Sequence, residues 1–216
     1  MLVRAVGPAL AGYGVEGTLV DPVLSVFDGA NALVASNDDW GSLAASPALA
    51  AAFATTGAFE LADGSKDAAL VLELPPGAYT AQVSGAAGGI GVSLVEVYDV
   101  SGDSSDSRLV NISGRARVGI GGDILIPGFV VDGADTRRYL VRAVGPTLAD
   151  FEVADVLLDP KLTVFSGPDP VATNDDWNTG NDIAAIAAAT AAVGAFELPA
   201  GSKDAVALLE LPAGAY

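Results

Sequence analysis

The sequence contains no cysteine and no histidine among its 216 residues. Their absence excludes disulfide bonds, thiol nucleophiles, imidazole bases and the usual zinc and haem ligands. Basic residues are scarce, since 10 Lys and Arg stand against 27 Asp and Glu and give a formal net charge of −17. Nucleic-acid binding needs clustered positive charge, so we expect no nucleic-acid partner. No apolar run is long enough to span a membrane, and we expect no membrane insertion.

The residues that are abundant favour β structure. Asp outnumbers Glu by 20 to 7, and the chain contains 26 glycines. Asp and Gly favour turns and helix caps, whereas Glu favours helix surfaces. Half of the chain is apolar, which is enough for a buried core. This composition predicts an all-β protein with many turns.

An internal duplication organises the chain. The stretch Leu2–Pro8 returns, letter for letter, at Leu140–Pro146, 138 residues later. Three further pairs repeat in the same order: Asp21-Pro22 with Asp159-Pro160, Asn37–Trp40 with Asn174–Trp177, and Gly64–Asp67 with Gly201–Asp204. The sequence therefore predicts two copies of one structural unit.

Apolar runs and turn signals predict the elements of each copy. We expect short Ala-rich helices at 46–56 and 182–193, with Ser46 as an N-cap and Gly57 and Gly194 ending them. Strands are expected at 2–6, 23–27, 32–35, 68–74, 79–83, 92–98, 109–112 and 124–131.

The duplication predicts domain boundaries but leaves both copies incomplete. Residues 1–101 form the first repeat, 102–107 a linker and 108–216 the second repeat. The first repeat lacks the strands found at 108–133, and the second lacks those equivalent to 80–100. Missing neighbours leave unpaired N–H and C=O groups at strand edges. Three explanations remain open: a piece of a longer tandem array, a single permuted domain, or strand exchange between chains that builds a filament.

The repeated sequence resembles that of a known family. Asp-Pro-x-Leu-x-Val-Phe, then Asn-Asp-Asp-Trp, then Leu-Pro-x-Gly-Ala-Tyr is similar to the pattern of pre-peptidase C-terminal and collagen-binding-type β-sandwich domains. The whole unit, with 109–113 and 128–131, is also similar to tandem modules of large secreted bacterial surface proteins. The resemblance implies β-sandwich (jelly-roll-like) repeats, an extracellular or cell-surface location and an association with calcium. The helical inserts depart from the family pattern and put the strand order in doubt.

The Asn-Asp-Asp-Trp clusters are the densest sets of oxygen ligands. Ca²⁺ takes six to eight oxygens, so other carboxylates must join them. The candidates are Asp21, Asn37, Asp38, Asp39 and Asp67 in the first copy and Asp159, Asn174, Asp175, Asp176 and Asp204 in the second. The alternative is that these residues form turns and caps, which we favour slightly over a metal site.

The aromatic and basic residues of the repeat also carry expectations. Trp40 and Trp177 are expected in a core or at its rim rather than as sugar-stacking platforms. Arg4 and Arg142 lie inside apolar strands and need carboxylate partners if they are buried. We expect an ion pair with an Asp of the same repeat.

The sequence favours a non-catalytic role. A Ser-x-x-Lys motif, a Gly-rich phosphate loop and an aspartic-protease signature are all missing. We expect an extracellular structural or adhesion module whose partners are other copies of itself or neighbouring repeats, with assembly into filaments by strand complementation as one of its modes. The alternative is a Ca²⁺-dependent module that binds carbohydrate or matrix protein for a secreted enzyme.

Overall fold

The computed structural model describes residues 1–43, 46–101 and 109–216. The chain divides into two compact units, Met1–Ile112 and Ser113–Tyr216. The predicted linker at 102–107 lies outside the described residues. The fold is β-rich, with small antiparallel sheets and little helix, as the composition predicted. None of the helices in the described part of the chain has the length and apolar character to cross a membrane.

The first unit contains two three-stranded sheets. Its strands are β1 (Leu2–Val6), β2 (Pro22–Asp28), β3 (Leu33–Asn37), β4 (Ala68–Val71), β5 (Tyr79–Gly85) and β6 (Leu94–Tyr98). One sheet has the order β4-β1-β6 and the other β3-β2-β5, with every neighbour antiparallel. Each sheet therefore has a central strand, β1 or β2, that is paired on both edges.

The two faces of β1 pack into different clusters. Side chains alternate across a strand, so Leu2 and Val6 lie on one face and Val3 and Ala5 on the other. The first face packs with Trp40, Leu49 and Leu61 in one buried cluster. The second face packs with Leu24 and Val26 of β2 and Leu70 of β4 in another. All five residues of β1 are consequently buried.

The helix α1 (Pro47–Thr56) lies over the first of these clusters. Pro47 starts it and Gly57 ends it in the left-handed region at φ 64°, which an L side chain rarely adopts. Ser46 stands at the N-cap position, as predicted, but its side chain makes no hydrogen bond to the helix. In the second unit, Asp182 does cap, accepting from the Ala185 N–H at 3.0 Å.

The second unit repeats part of this arrangement. Its strands are β7 (Val130–Val131), β8 (Arg137–Ala143), β9 (Leu162–Ser166), β10 (Asp169–Asn174), β11 (Ala205–Leu211) and β12 (Gly214–Ala215), and its α-helix is α2 (Ile183–Ala192). They pair as β11-β8, β10-β9 and β12-β7. The 3₁₀ helices Pro8–Tyr13 and Pro146–Phe151 follow β1 and β8.

The strand predictions for 109–131 were largely wrong. Residues 109–112 form no strand, and within 124–131 only the end pairs: Val130–Val131 pair with Gly214–Ala215, and Phe129 exchanges two backbone hydrogen bonds with Tyr216. Ile112, Ile124 and Ile126 are exposed. An apolar run becomes a strand only where a neighbour completes its hydrogen bonds, and these residues have no strand neighbour within the described ranges.

A close backbone approach explains the repeated Gly-Pro. A Cβ placed on Gly7 would lie 2.0 Å from the Leu19 carbonyl oxygen, and one on Gly145 would lie 2.1 Å from that of Leu157. Neither position tolerates a side chain. The loop before β2 therefore passes directly against the end of β1, and the loop before β9 passes directly against the end of β8.

Candidate functional site

The outer edge of β1 is where the two units differ most. In the first unit, β6 pairs with this edge in the register Leu2↔Tyr98, Arg4↔Glu96 and Val6↔Leu94. In the second unit, β8 has the same five letters at 140–144 but pairs with β11 alone among the strands the structure describes. This edge of β8 is open.

Hydrogen bonds at the start of β1 show which backbone groups face β6. Met1 and Leu72 exchange two hydrogen bonds, at 2.8 and 2.9 Å, on the β4 side. Backbone groups alternate between neighbours in an antiparallel strand, so those of Leu2, Arg4 and Val6 face β6. The register of β8 with β11 repeats that of β1 with β4, which directs the backbone groups of Leu140 and Arg142 to the open edge.

A buried arginine marks the middle of the edge in the first unit. Arg4 is fully buried, and its Nε lies 3.0 Å from Oε2 of Glu96 on β6. Its Nη1 donates to the Phe59 carbonyl at 2.7 Å, and its guanidinium lies 4.3 Å from the Phe59 ring centroid. Glu96 also accepts from the Tyr98 hydroxyl at 2.6 Å. Burial, and then this contact with Glu96, raise the pKa of Tyr98 to about 12.

Arg142 shares two of these contacts with Arg4, the carbonyl and one aromatic ring. Its Nη1 donates to the Phe196 carbonyl at 2.9 Å, and its guanidinium lies 4.3 Å from the Phe196 ring. Its Nε and Nη2, like those of Arg4, are shielded from solvent and form no hydrogen bond in the described part of the chain; the difference between the two arginines is the ion pair of Arg4 with Glu96. Burial lowers the pKa of Arg142, and the charge of Asp204 only partly offsets this. Arg142 is only half-buried, but two of its guanidinium nitrogens are shielded from solvent, so a carboxylate placed beside them would be favourable.

The same residues are less buried in the second unit. Every residue of β1 is buried, whereas Leu140, Val141 and Ala143 of β8 are only half-buried. Leu19 is 5% exposed beneath the segment that leads into β6, whereas its equivalent Leu157 is 41% exposed. Fully burying a Leu or Val contributes about 1.5–3 kcal/mol. Covering this edge would therefore stabilise the second unit.

A second open edge lies on β9. In the first unit β2 pairs with both β3 and β5, whereas the structure gives β9 only β10 as a neighbour within its described residues. Phe165 of β9 is 47% exposed. Among the described strands, both central strands of the repeat thus have one unpaired edge in the second unit.

The predicted ligands Asp67 and Asp204 act as buried caps. Asp67 accepts from the N–H groups of Gly7 at 2.8 Å and Ala9 at 3.3 Å, at the start of the first 3₁₀ helix. The Ser65 hydroxyl donates to its other oxygen at 2.7 Å. These bonds join segments 60 residues apart in sequence.

Asp204 repeats this role in the second unit. It accepts from Gly145 N–H at 2.8 Å, from Ser202 Oγ at 2.6 Å and from both the N–H and the hydroxyl of Thr147. Burial acts to raise the pKa of Asp204, but hydrogen bonds from Ser202, Thr147 and Gly145 outweigh it and lower the pKa. The repeated Gly-Ser-x-Asp motif therefore anchors the start of the 3₁₀ helix in each unit.

Asn37 and Asn174 are also used within the fold. Their side-chain oxygens accept from Ala69 N–H at 3.1 Å and Val206 N–H at 2.8 Å. Their amide nitrogens donate to the carbonyls of Asp39 and Asp176. The asparagines fix the corner between the hairpin and β4 or β11, which is the turn role that the sequence left open.

The remaining candidate ligands lie near lysines or in solvent. Asp39 and Asp21 lie 3.1 and 3.7 Å from the Lys66 ammonium, and Asp176 lies 2.9 Å from that of Lys203. Hydrogen bonds to Asp39 and Asp176 raise the pKa values of the two lysines. The other three, Asp38, Asp159 and Asp175, are exposed.

The structure does not gather these ten residues into one site. Each copy separates them into a buried cap, a corner asparagine and a lysine-paired carboxylate. Within residues 1–43, 46–101 and 109–216, no group of three acidic side chains is arranged to hold a metal ion. The calcium site stays a prediction.

The tryptophans and Arg4 gave mixed outcomes. Trp40 belongs to the buried cluster, as expected, and its indole N–H donates to Ala62 and Ser65. Arg4 does pair with a carboxylate of its own repeat, but the partner is Glu96 rather than an Asp. Sequence reasoning missed Glu96, although it is the only charged residue in the alternating segment 92–98.

Comparison with known proteins identifies no relative: no protein-family model, curated protein or solved structure matches the chain.

Proposed function

We propose that the chain is a non-catalytic extracellular structural or adhesion repeat module that assembles by strand complementation. The observation that carries the proposal is the contrast between β1 and β8. The same five residues are fully covered in one unit and open on one edge in the other. The extracellular location rests on the resemblance to secreted surface repeats.

The proposed architecture of a complete repeat is a β-sandwich of the two sheets. The shared cluster of β1, β2 and β4 side chains in the first unit supports this arrangement. In this architecture, a repeat is complete when its β1-type strand has a β6-type neighbour and its β2-type strand has a β5-type neighbour. The second unit is then an acceptor for two strands.

Open strand edges favour association. An unpaired edge presents a row of N–H and C=O groups, and an added strand satisfies them while its side chains enter alternate pockets. The edge of β8 also has half-buried apolar residues and Arg142, whose Nε and Nη2 form no hydrogen bond among the described residues. An added strand would pair the backbone groups, cover the apolar side chains and bring a partner to Arg142.

The polar residues of the repeat support a structural role. Asp67 and Asp204, the most buried carboxylates, are saturated by backbone N–H and serine donors. Carboxylates held in this way stabilise loops and are poorly placed for proton transfer to a substrate. Other copies of the repeat are therefore the proposed partners.

The test is to measure assembly and locate it on the chain. Light scattering and electron microscopy over a concentration series should show ordered oligomers. Hydrogen exchange should then show the amides of Leu140 and Arg142 protected only in the assembled state. The amides of Val141 and Ala143, which face β11, are the internal control and should be protected throughout. A strict monomer at every concentration, or oligomers without new protection on β8 or β9, would refute the proposal.

A further inference from the structure

The features of the open edge of β8 indicate which kind of strand would fit it. The first unit contains the same edge in its covered state, with the same Leu-Val-Arg-Ala-Val residues and the same arginine contacts. The main difference is the covering strand, because β8 has no β6-type neighbour among the described strands. The strand that covers β1 is therefore a template for the strand that fits β8.

The template specifies direction and register. Strand β6 runs antiparallel to β1 and places Glu96 opposite Arg4. A matching strand on β8 runs antiparallel to it, with an acidic residue opposite Arg142. Residues at the positions of Leu94, Glu96 and Tyr98 direct their backbone groups to the edge, and those at the positions of Val95 and Val97 direct them away.

The charge at the centre selects among strands. Arg142 donates Nη1 to the Phe196 carbonyl and lies over the Phe196 ring, while its Nε and Nη2, like those of Arg4, are shielded and form no hydrogen bond in the described ranges. In the first unit, Glu96 meets the corresponding Nε at 3.0 Å. A neutral strand would cover this charge without pairing it, which is unfavourable.

We propose that the open edge of β8 is a receptor for a β6-type strand of another repeat, selected by a glutamate that pairs with Arg142. This inference rests on the proposed strand complementation and adds its occupant, its direction and its recognition residue. A strand without a carboxylate at the central position is a poor ligand for this edge. Arg142 therefore acts as a specificity residue and not only as part of the core.

The test uses the whole chain and a labelled peptide with the sequence of residues 91–100. Fluorescence anisotropy should show saturable binding of one peptide per chain. A peptide with Glu96→Gln should bind about tenfold more weakly or worse, because the charge-assisted contact is lost. N-methylation at Leu94 should abolish binding, whereas N-methylation at Val95 should leave it unchanged. These comparisons alter the peptide alone, so they do not depend on a variant protein folding.

Two protein variants show which of the two units binds the peptide. Arg142→Met should remove the preference for Glu over Gln at the central position. Arg4→Met, the same change in the other unit, should keep that preference. A loss in Arg4→Met instead would mean that the peptide replaces β6 in the first unit, and would overturn the inference.

The remaining outcomes separate this inference from the proposed function. Equal affinity of the Glu and Gln peptides, or equal effects of the two N-methyl groups, would overturn the recognition proposed here. Ordered assembly without peptide binding would overturn it too and would leave assembly through β9. A strict monomer that binds the peptide would refute self-assembly but support the receptor edge.

Discussion

Replacing Glu96 by Gln tests the buried ion pair that defines the covered edge. The substitution keeps the size and shape of the side chain and removes its charge. Arg4 is fully buried, and the Glu96 side chain is only 16% exposed. The guanidinium would then remain in the core with the Phe59 carbonyl and two aromatic rings as its contacts.

The expected loss of stability is large for a single polar change. Removing one partner of a buried ion pair costs about 3–5 kcal/mol, because the other charge stays desolvated. Arg4 retains a hydrogen bond and its ring contacts, so we expect about 3 kcal/mol for the first unit. The same change at exposed Glu73 should cost less than about 0.5 kcal/mol.

Urea unfolding followed by tryptophan fluorescence measures this effect. In a Trp177→Phe background, Trp40 alone reports, and it lies in the core of the first unit. The double variant Arg4→Met with Glu96→Gln should recover most of the lost stability, since apolar replacement of both partners is often neutral. A cost below about 1 kcal/mol for Glu96→Gln, or an equal cost when Arg4 is already Met, would refute the reasoning.

Two other predictions concern carboxylates. The pKa of Asp204 is lowered in the folded state, so its contribution to stability is present above the unfolded value near pH 4 and is lost as pH falls through the lower folded value. With Asp204→Asn, the free energy of unfolding should therefore fall less steeply as the pH is lowered from about 5 to 2. Urea unfolding followed by Trp177 fluorescence measures this, and an unchanged pH dependence would contradict the prediction. The calcium hypothesis predicts that excess Ca²⁺ raises stability over a chelator control, by about 2.7 kcal/mol at one hundred times the Kd. Asp38→Ala and Asp175→Ala should remove that rise, and identical melts with Ca²⁺ and chelator would end the hypothesis.

Local patterns predicted much of the fold. The helix at 47–56 follows from Pro47 and Gly57, whose backbone preferences act within a few residues. The hairpins follow from the alternation of apolar residues between turn signals. Tyr79 and Tyr216, which end the repeated Leu-Pro-x-Gly-Ala-Tyr sequence, also make the same contact, since their hydroxyls donate to the carbonyls of Pro75 and Pro212.

Long-range contacts were beyond sequence reasoning. The cap from Asp67 to Gly7 joins positions 60 residues apart, and neither residue type indicates the other. Residues 109–112 have the apolar character of a strand but lack a neighbour, so their pattern alone misled the prediction. The Asn-Asp-Asp-Trp sequence resembled a set of metal ligands because its neighbours in sequence offer no positive charge. The lysine that pairs with Asp39 lies 27 residues further along the chain.

The identity of β1 and β8 has a consequence for folding during synthesis. Strand β1 is made long before β6, its neighbour on the outer edge, which lies more than 80 residues later. Once β8 has also been made, β6 faces two edges with the same sequence and the same arginine. Its correct choice then depends on order of emergence: β6 is complete before β8 leaves the ribosome and has only β1 to join. Refolding from denaturant removes that order, so the purified chain should refold with more exchanged and aggregated species than it forms during translation.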